Sequence, residues 1–435
     1  MESLSREEKS WMLYDWGHSA YSIIISTAVF PLFYKAAAES AGVSGAHSTA
    51  YLGYTIAIST FILALLGPIL GTIADYQGFK KAFFAGFSFL GIVATALLTF
   101  IPNGEWQLLL VCYTFIAIGS AGSNVFYDAF LVDVTEEGRM NKVSARGFAL
   151  GYIGSTIPFI ISIALILLSQ QDVLPLSVTA ASQIAFMITA VWWGVFTLPM
   201  LKNVRQRHYI PREPRIVASS FKRLAGTFKE IKRHRSIFLF LLAYFFYIDG
   251  VGTIITMSTA YGTDLGIEST DLLIILFVTQ VVAAPFAVIY GRLADRFSGK
   301  TMLYVGICVY IVVCVYAYFM KSAFDFWVLA MLVATSQGGI QALSRAYFAK
   351  MVPKQSANRF FGFYNIFDKF ASVLGPLLVG LTAQLTGQTS MGVFSLVILF
   401  LIGIAILARV PEQQSLQAGP PNADGSSQKA AGGLG

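Results

Sequence analysis

GTIADYQGFKK, residues 71–81, returns 220 positions later as GRLADRFSGK, residues 291–300, and each copy follows an apolar run long enough to cross a bilayer. In both, a glycine (Gly71, Gly291) precedes an aspartate (Asp75, Asp295) by four residues. Another glycine and basic residues follow: Gly78, Lys80 and Lys81 in the first copy, Arg296, Gly299 and Lys300 in the second. One copy alone would mean little, whereas two copies in an apolar chain describe a duplicated membrane protein.

Composition points the same way. Of 435 residues, 56% are apolar and 12% charged, with a mean hydropathy of +0.67, outside the range of soluble domains. Crossing about 30 Å of hydrocarbon takes roughly 20 apolar residues in a helix. The runs here have that length and lack the alternating ten-residue pattern of a barrel, so the expected fold is all-α. Twelve spans are expected, at 11–35, 50–75, 81–101, 106–130, 145–169, 179–200, 236–262, 270–293, 301–320, 326–349, 359–384 and 390–409.

Charge placement tests that count, because cytoplasmic loops are enriched in Lys and Arg. Of 30 such residues, only Lys35 and Lys321 fall in the six loops 1–2, 3–4, 5–6, 7–8, 9–10 and 11–12, and Lys369 lies inside span 11. The remaining 27 lie on the other side, eleven of them between Lys202 and Arg235. Both termini are therefore expected in the cytoplasm, and the basic excess reads as topology rather than as a nucleic-acid surface. The domain reading is an N-terminal six-helix bundle (1–200), a basic linker (201–235), a C-terminal six-helix bundle (236–409) and a disordered tail (410–435) rich in Gly, Pro and Ser. In the linker, Phe221, Leu224, Phe228 and Ile231 mark an amphipathic, interfacial helix. Span 1 carries Asp15 and His18 and is too long for a signal-peptide core. Cys112, Cys308 and Cys314 read as packing residues, and the four histidines at 18, 47, 208 and 234 make no metal spacing.

The repeat extends further. SARGFALGYIGSTIPF (144–159) and NRFFGFYNIFDKFASVLGP (358–376) open spans 5 and 11, with Gly147 set against Gly362 and Pro158 against Pro376. Two six-span halves around a basic linker, each with the Gly/Asp/Lys signature, resemble the major facilitator superfamily. Within it, WMLYDWGHSAYSIIISTAVFPLFY (11–34), FYDAFLVDV (126–134), YFFYIDGVGTI (244–254) and GGIQALSRAYFAKMVP (338–353) resemble the vacuole-effluxer-like branch. That branch is named for a fungal vacuolar exporter of amino acids; where its members usually carry Ala and Asn, this chain has Gly17 and His18. The resemblance implies that Asp75 holds span 2 to the start of span 11, and Asp295 holds span 8 to span 5, when the protein opens outward. It also implies that spans 1, 4, 7 and 10 line a central cavity.

Intramembrane charges need a reason, since each costs about 2.5–3.5 kcal/mol at a helix centre. Asp249 in span 7 and Asp368 and Lys369 in span 11 fall near mid-depth by their position along the helix, where transporters bind cargo. Tyr14, Asp15, His18 and Tyr21 share a face of span 1; Asn124 and Asp128 share one on span 4; Gln337, Gln341 and Arg345 form a stripe on span 10; Asn365 lies a turn before Lys369. Two readings stay open for Asp128 and Arg345: cavity groups, or a pair joining the halves. A carboxylate in a dry cavity holds a proton more readily than in water, which makes Asp249 or Asp15 the expected proton carrier. Gly147, Gly151 and Gly154 read as helix packing, with room to bend against span 8.

The function expected is a secondary transporter, a proton-driven exporter of amino acids or similar small metabolites, monomeric, in a bacterial inner membrane. No cofactor and no metal is expected. A proton-coupled importer of a sugar or other neutral solute is the alternative, followed by a non-transporting sensor on the same fold. An enzyme is disfavoured: Gly299, Lys300 and Thr301 match the end of a phosphate loop, but Ala294 stands where that motif needs glycine.

Overall fold

The computed structural model describes residues 4–213, 216–229, 234–264, 267, 269–386 and 388–411; most of the expected tail, 412–435, and Ile231 lie outside them. Twelve helices among the described residues are long and apolar enough to cross a membrane: Arg6–Ser40, Tyr51–Ala74, Phe79–Phe100, Trp106–Val134, Glu137–Gln170, Val178–Asn203, Arg235–Ser258, Ile274–Phe297, Gly299–Phe319, Ala323–Met351, Lys354–Ala383 and Ser390–Ala408. They are spans 1–12. The end of the molecule carrying the 2–3, 4–5, 8–9 and 10–11 connections is its basic end.

Several helices outrun their apolar stretches there, because their polar ends have partners. Span 1 starts five residues before its apolar run in a capping box: Ser5 Oγ accepts from Glu8 N–H, and Ser5 N–H donates to the Glu8 carboxylate. Glu8 is then buried by Thr135 (2.7 Å) and Arg139 (2.9 Å). Further along, span 1 widens to a π-helix over Tyr21–Ala28, where Thr27 Oγ1 donates to the Ser22 carbonyl. Such segments are common at functional sites.

The two halves meet along seams related by the repeat, span 2 on span 11 and span 5 on span 8. The signature glycines make the approach possible. A Cβ on Gly71 would come within 2.5 Å of the Asn358 carbonyl oxygen, and one on Gly291 within 2.5 Å of Ala145 Cβ. Gly147, Gly151 and Gly154 do not turn toward span 8 as the sequence suggested. They pack on span 1, where a Cβ on each would meet Asp15 (2.7 Å), Ser19 (2.6 Å) and Trp16 (2.5 Å). The face of span 5 against span 8 carries Ala145, Ala149 and Tyr152 instead.

In the linker, the helix Ile216–Lys229 packs on span 2. Its protein-facing side carries Ser220 and Leu224, while Phe221 is exposed. The segment before it straps loop 2–3: Ile210 N–H donates to the Asp75 carbonyl, Gln77 N–H to the Ile210 carbonyl, and the Gln206 amide bonds Gly78, Ala74 and Tyr76. Cys112 and Cys314 are buried as expected, whereas Cys308 lies on the outer surface of span 9.

Loop 8–9 differs from loop 2–3 at one backbone position. Gly78 caps span 3 with φ +87°, and its structural counterpart is Ser298, φ +100° and ψ 149°, rather than Gly299, which already lies in the span 9 helix. A side chain in this region costs about 1–3 kcal/mol, against a few tenths for replacing a serine cap by glycine. Ser298→Gly should therefore raise the melting temperature of the detergent-purified protein, and Gly78→Ala should lower it; a fall with Ser298→Gly would show that the cap to Thr301 outweighs the strain.

Candidate functional site

Between the halves lies a cavity of about 220 Å³. Span 1 supplies Asp15, His18, Ser19 and Ser22; span 4 supplies Ala121, Asn124, Tyr127 and Asp128; Phe148 comes from span 5 and Tyr244 from span 7. Gln341 and Arg345 come from span 10, and Tyr364, Asn365, Asp368 and Lys369 from span 11. The i, i+4 spacing of Asp15 with Ser19, His18 with Ser22, Asn124 with Asp128, Gln341 with Arg345, Tyr364 with Asp368 and Asn365 with Lys369 turns each pair to one face.

Arg345 crosses from one half into the other near the basic end. Its Nη1 donates to Asp128 at 3.1 Å, Nη2 to Asp15 at 3.4 Å, and Nε to Ser144 Oγ at 2.9 Å. The guanidinium is held between the rings of Trp11 and Phe148, 4.6 and 4.5 Å from its carbon. Gly147 leaves the space this needs, since a Cβ there would reach Asp15 Oδ2 at 2.7 Å and Arg345 Nη2 at 3.3 Å. Asp128 and Arg345 thus satisfy both readings left open by the sequence, because the pair that joins the halves also borders the cavity.

A second charged pair borders the same space. Asp368 lies 3.7 Å from Lys369, and their side chains are 34% and 41% exposed, so both retain room for another partner. Tyr244 O–H donates to Asp368 at 2.7 Å while its ring stacks on Tyr364 at 4.4 Å. His18 Nε2 pairs with Ser120 Oγ at 2.8 Å and its ring rests on Tyr14 and Trp193.

Four expected site residues fall elsewhere. Asp249 does not line the cavity: it is buried on the seam between spans 7 and 11, where Gly375 N–H donates to its Oδ2 at 2.8 Å. Depth along a helix can be counted from the sequence, but which neighbouring helix a residue faces is set by packing between spans, which the spacing along one helix does not give. Gln337 borders a separate apolar void of about 50 Å³ among spans 7, 8 and 10. Tyr14 is committed to Ser123 Oγ (2.8 Å), and Tyr21 packs on His18 and Trp193. Conversely, Tyr127, Phe148, Tyr244 and Tyr364 were not among the expected site residues, although Tyr364 stands one turn before Asp368.

At the basic end, Asp75 Oδ1 accepts from both the backbone N–H and the side-chain amide of Asn358, each at 3.1 Å, and Arg223 of the linker helix lies 3.6 Å from its other oxygen. Asp295 accepts from Asn141 at 3.2 Å. The repeat register is therefore set by Asn141 and Asn358, which pairs Gly362 with Ala145 and leaves Gly147 without a glycine counterpart. Lys80, fully buried, bonds Asp133 at 2.6 Å near the end of span 4, and Lys81 bonds the Val204 carbonyl at 2.9 Å. In the second copy Lys300 bonds the Val410 carbonyl at 2.5 Å, while Arg296 lies over the ring of Phe297.

Comparisons with known proteins give the family and the fold. The vacuole effluxer Atg22-like family profile matches residues 45–137 and 132–419. An uncharacterized MFS-type transporter of Bacillus subtilis, YxiO, is 71% identical over 415 residues, 95% of this chain and 97% of its own length. Autophagy-related protein 22 of Vanderwaltozyma polyspora is 23% identical over 407 residues, 81% of this chain and 76% of its own. Among solved structures, the proton:xylose symporter XylE (TM-score 0.68, 12% identity) and FucP in the outward conformation (0.68, 14%) each cover 94% of this chain, and 98% of each is matched. At that identity they speak for the fold alone. The chain belongs to the vacuole effluxer Atg22-like family of major facilitator transporters.

Proposed function

We propose that this transporter exports amino acids or similar small metabolites by alternating access, driven by the proton gradient. The observation that carries the reading is the cavity between the halves, where Asp368 and Lys369 present opposite charges at one depth with room for a further partner on each. A zwitterion answers both groups at once: its ammonium meets Asp368 and its carboxylate meets Lys369. The family, described as vacuole effluxer-like, supports an exporter. A neutral solute could use Asn124, Gln341, Asn365 and Tyr244 but would leave the charged pair unanswered.

The basic end is the cytoplasmic one in this reading, with both termini there, in a bacterial inner membrane. Asp75 on Asn358, Asp295 on Asn141, and Arg345 on Asp15 and Asp128 hold that end shut and leave the cavity to the opposite side. Rocking of residues 1–200 against 236–409 would break these contacts and open the cytoplasmic side. The chain works as a monomer, with cargo and protons as its partners.

Thermal unfolding of the detergent-purified protein against a panel of L-amino acids and neutral sugars tests the cargo class, because a ligand bound only by the native state raises the melting point. Amino acids should stabilise, and Asp368→Asn or Lys369→Gln should remove that stabilisation; sugars stabilising while amino acids do nothing would overturn the reading.

The Arg345 contacts can be weighed by a double-mutant cycle. Fully stranding a buried charge costs about 3–5 kcal/mol; Asp128→Asn leaves Arg345 with Asp15 and Ser144, so it should lower stability in the native background by less than that. In Arg345→Met it should lower it far less. Equal losses in the two backgrounds would mean that Asp128 and Arg345 are not energetically coupled.

A further inference from the structure

Asp249 lies apart from the cargo cavity in a setting that asks for a proton. It is 1% exposed and Thr253, one turn on, 2%. Gly375 N–H satisfies Asp249 Oδ2 (2.8 Å), but Asp249 Oδ1 and Thr253 Oγ1 have no hydrogen-bond partner among the described residues. Both orphaned atoms converge on Gly375, where an added Cβ would collide with the Thr253 hydroxyl and come within 2.8 Å of Asp249 Oδ1. Among the described residues, none of the ion pairs involves Asp249.

The charged and titratable groups on the surrounding spans are placed elsewhere. Tyr244 and Tyr247 on span 7 bond Asp368 and Ser344, and Arg345 on span 10 is committed to Asp15 and Asp128. Tyr310 of span 9 stacks on Phe400 of span 12, with Cys314 buried a turn later. Asp368 and Lys369 precede Gly375 on span 11 by seven and six residues, about 10 Å along the helix. A bare carboxylate so enclosed would be costly, and too few oxygens face it to coordinate a metal cation. Thr253 O–H can donate to Oδ1, which pairs the two atoms but leaves a full charge with no counter-ion on the seam; one proton on the carboxyl removes that charge. Thr253 also borders a void of about 20 Å³, room for one water.

We propose that the seam between spans 7 and 11 is a proton site, with the proton on Asp249, shared with Thr253 and covered by Gly375. The same two spans meet at the cavity through Tyr244 and Asp368. Cargo that draws Asp368 away from Tyr244 loosens the seam, and Asp249 exchanges its proton with water when the seam parts; only an O–H bond is made or broken. This coupling role rests on the transport reading above, whereas occupancy by a proton does not.

Infrared difference spectroscopy on the protein reconstituted in lipid vesicles at neutral pH tests the site without any cargo. The wild type should show a carboxylic-acid carbonyl band that Asp249→Asn removes, Thr253→Val shifts to higher frequency and Asp15→Asn leaves in place. Should Asp249→Asn fail to fold, the Thr253→Val shift decides. An acid band unmoved by the Asp249 and Thr253 changes would overturn the proposal. With a mixture of L-amino acids as the probe, Asp249→Asn vesicles should retain amino-acid exchange and lose at least tenfold of the accompanying proton movement, read by a lumenal pH dye. Undiminished proton movement would remove the coupling role, and a wild type that moves no amino acid would remove the cargo reading while the infrared result stands.

Discussion

A single guanidinium does most to fix the relation between the halves. Arg345 is rooted in span 10, yet its hydrogen bonds run to Asp15 on span 1, Asp128 on span 4 and Ser144 on span 5, all in the other half. An arginine is suited to this because its planar fork reaches several acceptors at once and remains charged. Buried ion pairs come close to break-even against their desolvation, so this contact contributes direction and register more than net stability. Its placement determines what else can be there: Gly147 has to lack a side chain, and Trp11 and Phe148 supply the flanking rings.

Around that contact the repeat imposes a symmetry that the loops then break. Asp75 and Asp295 each meet an asparagine at the start of a helix in the other half, Asn358 and Asn141, and each follows a glycine that allows close approach. Beyond this point the copies diverge. The first is strapped by the linker through Gln206, Ile210 and Arg223, and its Lys80 is buried on Asp133. The second has a serine where the first has glycine in the left-handed turn, and its Lys300 reaches the segment after span 12. Among the described residues, Gln206, Ile210, Arg212 and Arg223 clamp the first signature loop, so an event that lifts the linker would weaken one seam before the other.

Much of this was legible in the sequence because the physics behind it is one-dimensional. Span length follows from hydrocarbon thickness, and the shared faces on spans 1, 4 and 10 together with the mid-depth charges of span 11 identified Asp15, His18, Asn124, Asp128, Gln341, Arg345, Asn365, Asp368 and Lys369, all of which line the cavity. Asp249 shows the limit. Counting residues gave its depth, but only the packing of span 7 on span 11 determines that it faces Gly375 instead of the cavity. Tyr244 and Tyr364 escaped notice for the opposite reason: in a chain with 20 tyrosines and 36 phenylalanines, an aromatic residue does not announce a site. The asparagines that meet the signature aspartates were hidden because their match lies in a register two residues from the one the glycines suggested.

A transporter of this kind has to make two packings nearly equal in energy, and the distribution of polar groups serves that need. A dry apolar seam at the basic end would gain stability with every buried side chain and would have to lose all of it on opening. Here the contacts at that end are instead carboxylates on amides and a guanidinium on carboxylates, groups that water can satisfy almost as well as the protein does. Opening would exchange one set of hydrogen bonds for another and hydrate Arg345, Asp15 and Asp128 as the cavity floor parts, keeping the gap within reach of a bound cargo molecule or a proton. Glycines at the seam between spans 2 and 11 complete the arrangement: Gly71 and Gly362 let the helices touch through backbone, so that little side-chain burial has to be undone there when they separate.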